Sequence, residues 1–339
     1  MRIMHTILSS GFAGTERATA EMCNALSDAH EVMLVVRRKH RAASGASILD
    51  HLEPRVQVHQ VGNWFPGPAL RRVIRDWRPD VIHAHLRKST RLLARLRPPC
   101  PTISTLHMWV NGPHFLQMDG LVVIAQWQKR DLANYRGRVF DINESLVPHP
   151  RLDAARIAAL RAESGAAPGT LLVGGVGRLA QSKGFDTLIR AFRAAALPDA
   201  ALVIVGDGRE RESLQKLAQG LPVRFTGFRD DAKDFYQAFD LFVSPSRSEP
   251  LGRVLFEALD AGVPVIATRT QGPSEILARY PGRRVPIDDV DAMAAALREF
   301  AAAPQPRATH DLSAYYLAHV RRETEAAYRE LIEARRVGR

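Results

Sequence analysis

Residues 249–257 read Glu-Pro-Leu-Gly-Arg-Val-Leu-Phe-Glu, and the interpretation of the whole chain starts from this stretch. Pro250 and Gly252 interrupt regular structure, and the apolar run that follows has helical composition, which predicts a loop leading into a helix. The start of such a helix presents unpaired backbone amides and the positive end of the helix dipole, which suit a phosphate. Glu249 then lies just outside the helix and Glu257 on its first or second turn. Taken alone, this spacing is a weak signal and favours a capping or loop carboxylate at Glu249 and a solvated helix residue at Glu257 over a ligand site.

Length and composition limit the class of protein. A chain of 339 residues predicts two domains of about 150 residues each. Cys23 and Cys100 lie far apart, without metal or disulfide spacing, which favours a reducing compartment. The first ten residues are too polar for a secretory signal, and no run of about 18 apolar residues exists to span a membrane. We therefore expect a cytoplasmic location.

The positive charge of the chain is concentrated in its first half. Residues 1–150 contain 20 Lys and Arg against 12 Asp and Glu, whereas residues 151–339 contain 27 against 24. Predicted helices at 68–78 and 86–97 carry arginines beside leucines, a pattern that suits an anionic lipid surface. Nucleic acid is the less favoured partner, because no aromatic and basic recognition motif is present. We expect the first domain to contact the cytoplasmic face of the inner membrane.

Short apolar runs alternate with amphipathic ones along both halves of the chain, which predicts an α/β fold with parallel, doubly wound sheets. The predicted strands are 3–8, 32–36, 56–61, 81–84, 102–106, 121–124, 171–175, 201–205, 223–226, 241–243 and 263–267. The predicted helices are 16–28, 68–78, 86–97, 126–134, 153–163, 184–196, 209–219, 231–238, 253–261 and a C-terminal helix at 311–336. The prolines around residue 149 place the boundary between a first domain, 1–150, and a second domain, 151–305.

Ligands of doubly wound sheets bind beyond the carboxyl ends of the strands, so the loops there are the candidate sites. Arg178 and Lys183, five residues apart before a predicted helix, suit a diphosphate. His107 follows a strand and is placed to contact a sugar or polarise a reacting oxygen. His85 is predicted to reach the same edge, and His83 to pack within the sheet. No group of His, Asp or Glu has the sequence spacing of a metal site.

Several segments, in this order, resemble the donor domain of the retaining GT-B glycosyltransferases of family 4. They are GVGRLAQSKGFDTLIRAF, IVGDGRERESL, FTGF and LFVSPSRSEPLGRVLFEALDAGVPVIATRTQGPSEIL, with support from GTER at 14–17 and RPDVIHAH at 78–85. The resemblance implies a GT-B architecture of two Rossmann-like domains facing across a cleft, with residues 306–339 forming a helix that crosses back to the first domain. It also implies a nucleotide-sugar donor as substrate, no cofactor and no metal.

The resemblance assigns roles to individual residues. It implies that Arg178 and Lys183 neutralise the donor diphosphate, that Glu249 holds sugar hydroxyls and that Glu257 binds the ribose. It further implies that Phe228 lies near the nucleobase, that Gly14 approaches the diphosphate and that His107 lies near the transferred sugar. The loop and helix start between the two glutamates are expected to contact sugar or phosphate: Leu251, Gly252, Arg253 and Val254.

The expected function is transfer of a hexose to a glycan or lipid-linked saccharide in the synthesis of bacterial lipopolysaccharide or another surface polysaccharide. Two alternatives stay open at this stage. One is a nucleotide-sugar epimerase on the same architecture, and the other is a non-catalytic protein that binds glycan or nucleic acid. The set of charged residues at 178, 183, 249 and 257 argues against a protein that only binds, whereas product analysis without an acceptor distinguishes the epimerase.

Overall fold

The computed structural model describes residues 1–42 and 45–337. Its strands are β1 Arg2–Ile7, β2 Glu31–Arg37, β3 Gln57–Val61, β4 Val81–His85, β5 Thr102–Leu106, β6 Gly120–Val123, β7 Arg138–Asp141, β8 Leu171–Val176, β9 Ala200–Val205, β10 Val223–Gly227, β11 Leu241–Ser244, β12 Val265–Thr268 and β13 Arg283–Val285. Its α-helices are α1 Gly14–Leu26, α2 Pro66–Trp77, α3 Leu86–Leu96, α4 Ala154–Glu163, α5 Phe185–Ala195, α6 Arg211–Leu217, α7 Ala232–Ala238, α8 Arg253–Asp260, α9 Gln271–Ile276, α10 Val290–Ala302 and α11 Leu317–Val337.

The chain divides into two compact units. The first contains Met1–Val147 together with Ser313–Arg339, and the second contains Pro148–Leu312. The division therefore falls three residues before the predicted boundary at 150. The second unit also continues past residue 305, because α10 ends at Ala302 and the segment after it still packs on this unit, where the Ala308 amide donates to the Gly262 carbonyl at 3.0 Å.

The first unit is built on a seven-stranded parallel sheet with the order β3-β2-β1-β4-β5-β6-β7. The direction of winding reverses between β1 and β4, and this switch point is where open α/β sheets bind ligands. The central strands are buried along nearly their whole length, as expected when helices cover both faces. Helix α11 contributes buried Val320, Tyr328 and Leu331 to this unit.

The second unit has a six-stranded parallel sheet with the order β10-β9-β8-β11-β12-β13. Its switch point lies between β8 and β11. Helices α5 and α10 pack on this sheet through a core that includes Leu188, Ile189 and Leu297. Aspartates cap two helices of this unit: Asp153 accepts from the Arg156 amide at 2.7 Å, and Asp289 accepts from the Ala292 amide at 2.8 Å.

The doubly wound α/β prediction is confirmed, but it omits several elements. Helices α9 and α10 were not predicted, although α10 spans 13 residues and packs in the core. Strands β7 and β13 were not predicted, because one is an exposed edge strand and the other is only three residues long. The helix expected at 126–134 is a 3₁₀ helix, Gln126–Leu132. The buried Gln128 side chain holds this turn by accepting from the Ile124 amide at 2.8 Å and donating to the Met108 carbonyl at 3.0 Å. Such side-chain bonds to the backbone compete with regular helix.

Among residues 1–42 and 45–337, no helix combines the length and the apolar character needed to cross a bilayer.

Candidate active site

The loops that follow β8, β9 and β11 meet at the switch point of the second unit. The Leu179 amide donates to the Asp207 carbonyl at 2.9 Å, which joins the first loop to the second. The Arg247 amide donates to the Ser182 carbonyl at 2.9 Å, which joins the first loop to the third. Gly184 has φ +65°, and a Cβ there would lie 2.1 Å from the Pro245 carbonyl oxygen, so the loops approach as closely as only glycine permits.

Lys183 and Glu249 meet in this loop cluster. Lys183 Nζ donates to Glu249 Oε2 at 2.5 Å, and the Glu249 side chain is only 11% exposed. The Glu249 carbonyl also accepts from the Gly272 amide at 3.0 Å, which ties this residue to the start of α9. An ammonium group has three donors, so the bond to Glu249 leaves two for another acceptor.

Arg178 lies on the same loop, directly after β8, and its side chain is exposed. Across the described ranges 1–42 and 45–337, its guanidinium has no ion-pair or hydrogen-bond partner. This contrasts with Arg247 on the neighbouring loop, which binds Asp186 and Asp288 at 2.8 and 2.7 Å. Arg178 therefore presents an uncompensated cation at the switch point.

The loop that contains Glu249 leads directly into α8. Gly252 is the N-cap of this helix, with φ +93° and no side-chain cap. A Cβ on Gly272 would lie 2.0 Å from the Leu251 carbonyl oxygen, so the loop is packed against α9 with backbone against backbone. Glycine has no side chain, so Gly252 offers no side-chain acceptor to the first backbone amides of α8. This is the geometry in which a helix start binds an anion.

Glu257 lies on the second turn of α8 and is held from two sides. The buried Tyr236 hydroxyl donates to Glu257 Oε2 at 3.0 Å, and Arg253 Nε lies 3.6 Å from Glu257 Oε1. Burial, together with the Glu257 carboxylate, raises the pKa of Tyr236 well above its ordinary value, so this hydroxyl stays a donor. The carboxylate keeps acceptor sites for further hydroxyl groups.

Phe228 is the remaining second-unit residue for which the resemblance implies a role. Phe228 follows β10 and is 39% exposed, which leaves its ring available for contact. Nearby, Asp231 forms ion pairs with Arg229 and Arg156 at 2.7 and 2.6 Å.

In the first unit, the loop after β1 and the end of β5 carry the predicted residues. Gly14 is the exposed first residue of α1, and the preceding amide, of Ala13, donates to Glu16 at 3.0 Å. His107 lies just past β5 with its side chain 8% exposed. His107 Nδ1 lies 3.4 Å from a Glu144 carboxylate oxygen, and His107 Nε2 lies 3.2 Å from His85 Nδ1.

His85 is the last residue of β4 and therefore lies at the predicted edge, but its side chain is buried and lies 3.0 Å from His5. His83 is buried as predicted and binds the Tyr328 hydroxyl at 2.6 Å. His5, His83 and His85 together form a cluster that spacing along the sequence could not reveal. Two parallel strands pair His5 with His83, although 77 residues lie between them.

Burial keeps these rings neutral. It lowers the pKa of His5 to about 3 and lowers the pKa values of His83 and His85 well below their ordinary range. Burial also raises the pKa of the Tyr328 hydroxyl well above its ordinary value. Sequence reasoning missed His5, Glu144 and Tyr328; the alternation of His83 and His85 along a strand was the only signal toward this cluster.

Comparison with known proteins identifies the family. A family model described as glycosyl transferases group 1 matches residues 170–302, and one described as glycosyltransferase family 4 matches residues 12–141. The lipopolysaccharide core biosynthesis glycosyltransferase LpsD of Rhizobium meliloti (strain 1021) is 31% identical over 288 residues, covering 82% of this chain and 81% of LpsD. The chain belongs to the group 1 glycosyltransferases. The resemblance seen in the sequence is thereby confirmed.

This glycosyltransferase also matches a second core biosynthesis enzyme of the same organism, LpsE, at 42% identity over 132 residues, which are 38% of each chain. Among solved structures, Anabaena Alr3699/HepE in complex with UDP and glucose aligns with a TM-score of 0.81 at 20% identity, covering 98% of this chain and all of HepE. The lipopolysaccharide glycosyltransferase WaaG aligns with a TM-score of 0.67 at 17% identity, covering 98% of each chain. The fold is therefore GT-B.

Proposed function

We propose that this glycosyltransferase moves a hexose-type sugar from a nucleotide-sugar to a glycan or lipid-linked saccharide in the synthesis of lipopolysaccharide or another surface polysaccharide. The observation that carries the proposal is the Lys183–Glu249 pair at the switch point, with the exposed Arg178 on the same loop as Lys183. The names of LpsD and LpsE, both lipopolysaccharide core biosynthesis glycosyltransferases, support the acceptor class. The HepE complex with UDP and glucose supports the donor class.

The donor diphosphate is assigned to Arg178, Lys183 and the start of α8. A guanidinium fork and an ammonium group supply two charges, and the start of α8, where Gly252 provides no side-chain cap, supplies backbone donors. Negative charge grows on the diphosphate as the sugar leaves. Fixed positive groups aimed at that charge lower the barrier to transfer.

The sugar and the ribose are assigned to the two glutamates. Glu249, held by Lys183, accepts hydrogen bonds from hydroxyls of the donor sugar, while Lys183 keeps two donors for phosphate. Glu257, held by Tyr236 and Arg253, accepts from the ribose hydroxyls. In this assignment Glu249 positions the donor and is not a nucleophile. Phe228 is assigned to the nucleobase, while Gly14 and His107 of the first unit stay predicted contacts of the diphosphate and the transferred sugar.

We infer that the anomeric configuration is retained and that no metal is required. When the acceptor attacks from the face of the leaving group, the leaving phosphate can take the acceptor proton, so no separate protein base is needed. Arg178 and Lys183 provide the positive charge that a divalent cation would otherwise supply. Asp231 is engaged by arginines, and Asp289 caps α10, which fits structural roles for these carboxylates.

A lipid-linked acceptor is presented at a membrane, and the first unit has a surface suited to one. Trp64 and Phe65, at the start of α2, are 88% and 86% exposed. On the same helix Arg72 and Arg75 are 78% and 73% exposed. Aromatic rings enter the interface of a bilayer, and each nearby arginine adds about 1 kcal/mol with anionic lipid. We propose peripheral contact with anionic membrane through this surface.

Vesicle sedimentation tests the membrane contact. The protein should bind vesicles that contain phosphatidylglycerol, bind vesicles of pure phosphatidylcholine weakly, and lose binding as salt is raised. The double variant Trp64→Ser and Phe65→Ser should lose about tenfold in binding to the anionic vesicles. Ile287→Ser, an exposed apolar position of the second unit at 43%, is the control. Equal binding by the double variant and the wild type would refute the role of this surface.

Transfer itself is tested with labelled nucleotide-sugars and a membrane extract as acceptor, in the presence of EDTA. At least one of the UDP-, GDP- and ADP-hexoses should pass its label to lipid or glycan, and NMR of the product should show the anomeric configuration of the donor. No transfer and no donor hydrolysis with any donor would overturn the proposal. A new nucleotide-sugar formed without acceptor would identify an epimerase instead.

A further inference from the structure

A continuous line of hydrogen-bonding groups crosses the buried face of the first-unit sheet. Thr105 Oγ1 lies 2.7 Å from His83 Nε2, His83 Nδ1 lies 2.6 Å from the Tyr328 hydroxyl, and that hydroxyl lies 3.4 Å from His5 Nε2. His5 Nδ1 lies 3.0 Å from His85 Nε2, and His85 Nδ1 lies 3.2 Å from His107 Nε2. His107 Nδ1 completes the line 3.4 Å from Glu144. We name this line the histidine chain.

The chemistry of its members gives the histidine chain one direction. A neutral imidazole has one donor nitrogen and one acceptor nitrogen, whereas an ionised carboxylate can only accept. The Glu144 carboxylate therefore favours the proton on His107 Nδ1, which makes His107 Nε2 an acceptor. His85 must then donate from Nδ1 and accept at Nε2, so His5 donates from its own Nδ1.

The donors and acceptors at the other end of the line follow in the same way. His5 Nε2 accepts from the Tyr328 hydroxyl, whose oxygen accepts from His83 Nδ1, and His83 Nε2 accepts from Thr105. Every contact then joins one donor to one acceptor with all four rings neutral. The low pKa values that burial gives His5, His83 and His85 agree with neutral rings.

We propose that His5, His83, His85 and Tyr328 are positioning residues for His107, and that the directed histidine chain holds His107 as its Nδ1–H tautomer. The proposal rests on the predicted place of His107 beside the transferred sugar. Both ring nitrogens of His107 are engaged within the chain, so His107 acts through its fixed position and not as a proton donor or acceptor toward substrate. This agrees with a mechanism in which the leaving phosphate takes the acceptor proton.

The placement of the chain explains how it can orient His107. Strands β1 and β4, which carry His5, His83 and His85, meet at the switch point, and Thr105 lies two residues before His107. Tyr328 comes from α11, so the C-terminal helix closes the buried end of the chain. A cavity of about 40 Å³ beside His83, His85 and His107 is too small for a sugar. The histidine chain therefore holds His107 in place and does not form a ligand pocket.

The tautomers can be read directly by ¹⁵N NMR of the full chain labelled at histidine, at pH 7.5. His5, His83, His85 and His107 should appear as neutral Nδ1–H rings, although exposed histidines favour the Nε2–H form. Single His→Gln variants assign each signal. An Nε2–H ring or an imidazolium at His5, His85 or His107 would overturn the proposal.

Two variants test the connections of the chain. Glu144→Gln keeps the shape of the side chain but can donate as well as accept, so His107 should lose its pure Nδ1–H signal. Tyr328→Phe removes the acceptor of His83 Nδ1, so the His83 signal should move toward the Nε2–H form. Tyr135→Phe is the matched control, because its hydroxyl also binds within the first unit, to the Met118 carbonyl at 2.9 Å. Unchanged tautomers in both variants would contradict the proposed hydrogen-bond direction of the histidine chain.

Kinetics separates a positioning role from a merely structural one. In Tyr328→Phe, kcat should fall by about 3- to 10-fold, as for one lost hydrogen bond, with nucleoside diphosphate affinity unchanged. Tyr135→Phe should keep the wild-type kcat. An unchanged kcat in Tyr328→Phe would refute the positioning role. The tautomers are measured without substrate, so they would be as predicted even if the protein were not a transferase. If the histidine chain were wrong, nucleoside diphosphate binding would still be observed.

Zinc binding distinguishes the histidine chain from a metal site, because His5, His83 and His85 also lie close enough together to ligate a metal. The histidine chain predicts that Zn²⁺ leaves the thermal unfolding of the wild-type protein unchanged. Stabilisation by Zn²⁺ that disappears in His5→Gln would assign the cluster to a metal and overturn the proposal.

Discussion

Acidification should destabilise the first unit through its buried neutral histidines. In the folded state His5 binds a proton only near pH 3, whereas the unfolded chain binds one near pH 6.5. Below pH 6.5 the unfolded state therefore holds more protons than the folded state, and stability falls as the pH falls. His83 and His85 act in the same direction, because burial lowers their pKa values too.

The loss of stability caused by each histidine depends on the difference between its pKa values in the folded and unfolded states. A group that titrates near pH 6.5 when unfolded, and stays neutral when folded, removes about 2 kcal/mol of stability between pH 7 and pH 5. For His5 this loss of about 2 kcal/mol is a substantial share of the roughly 5–15 kcal/mol stability of an ordinary domain. Burial also lowers the pKa values of His30 and His40, which adds to the same trend.

Urea unfolding followed by tryptophan fluorescence measures this effect on the first unit alone. All four tryptophans, at positions 64, 77, 109 and 127, belong to that unit. Between pH 7 and pH 5, the free energy of unfolding of His5→Gln should fall by about 2 kcal/mol less than that of the wild type. Ile3→Val, on the same strand, is the control: it should cost about 1 kcal/mol at every pH. An identical loss in His5→Gln and the wild type would refute the neutral, buried state of His5.

Two further predictions concern the second unit. Gly184→Ala should destabilise it by about 2–4 kcal/mol, because the new Cβ would lie 2.1 Å from the Pro245 carbonyl at φ +65°. Gly220→Ala, where φ is also positive but the space is open, should cost only about 1 kcal/mol, and equal thermal shifts in the two variants would contradict this packing. Tyr236→Phe should release Glu257 and weaken nucleoside diphosphate binding by about 3- to 10-fold in calorimetry, with pyrophosphate binding unchanged. Equal weakening of pyrophosphate would place Glu257 on the phosphates instead of the ribose.

The parallel sheets could be predicted because their signal is local. Buried strands such as β1, β4 and β9 read as continuous apolar runs, and glycines such as Gly184 and Gly252 mark the turns between elements. Strand β13 escaped prediction for the opposite reason, and the 13-residue helix α10 was missed as well. Strand β13 has three residues and owes its conformation to pairing with β12.

The candidate site also contains features that the sequence predicts and features that it does not. Arg178 and Lys183 lie near each other in sequence, so their shared loop could be predicted from spacing. The contact of Lys183 with Glu249 depends on the strand order that brings the loops after β8 and β11 together. Tyr328 and His5 are 323 residues apart, and no periodicity in the sequence relates them.

The proposed function depends on the binding of a nucleotide diphosphate by Arg178, Lys183 and the start of α8. Calorimetric titration with UDP, GDP and ADP tests it most directly, with Arg283→Ala as control because that arginine is 60% exposed and pairs with Glu299 at the surface. At least one nucleotide should bind, and Arg178→Ala and Lys183→Ala should each weaken it by about 10- to 100-fold, as expected for lost charge-assisted hydrogen bonds. Arg283→Ala should bind as the wild type does. Absence of binding by all three nucleotides, or wild-type affinity in Arg178→Ala, would contradict the proposed function.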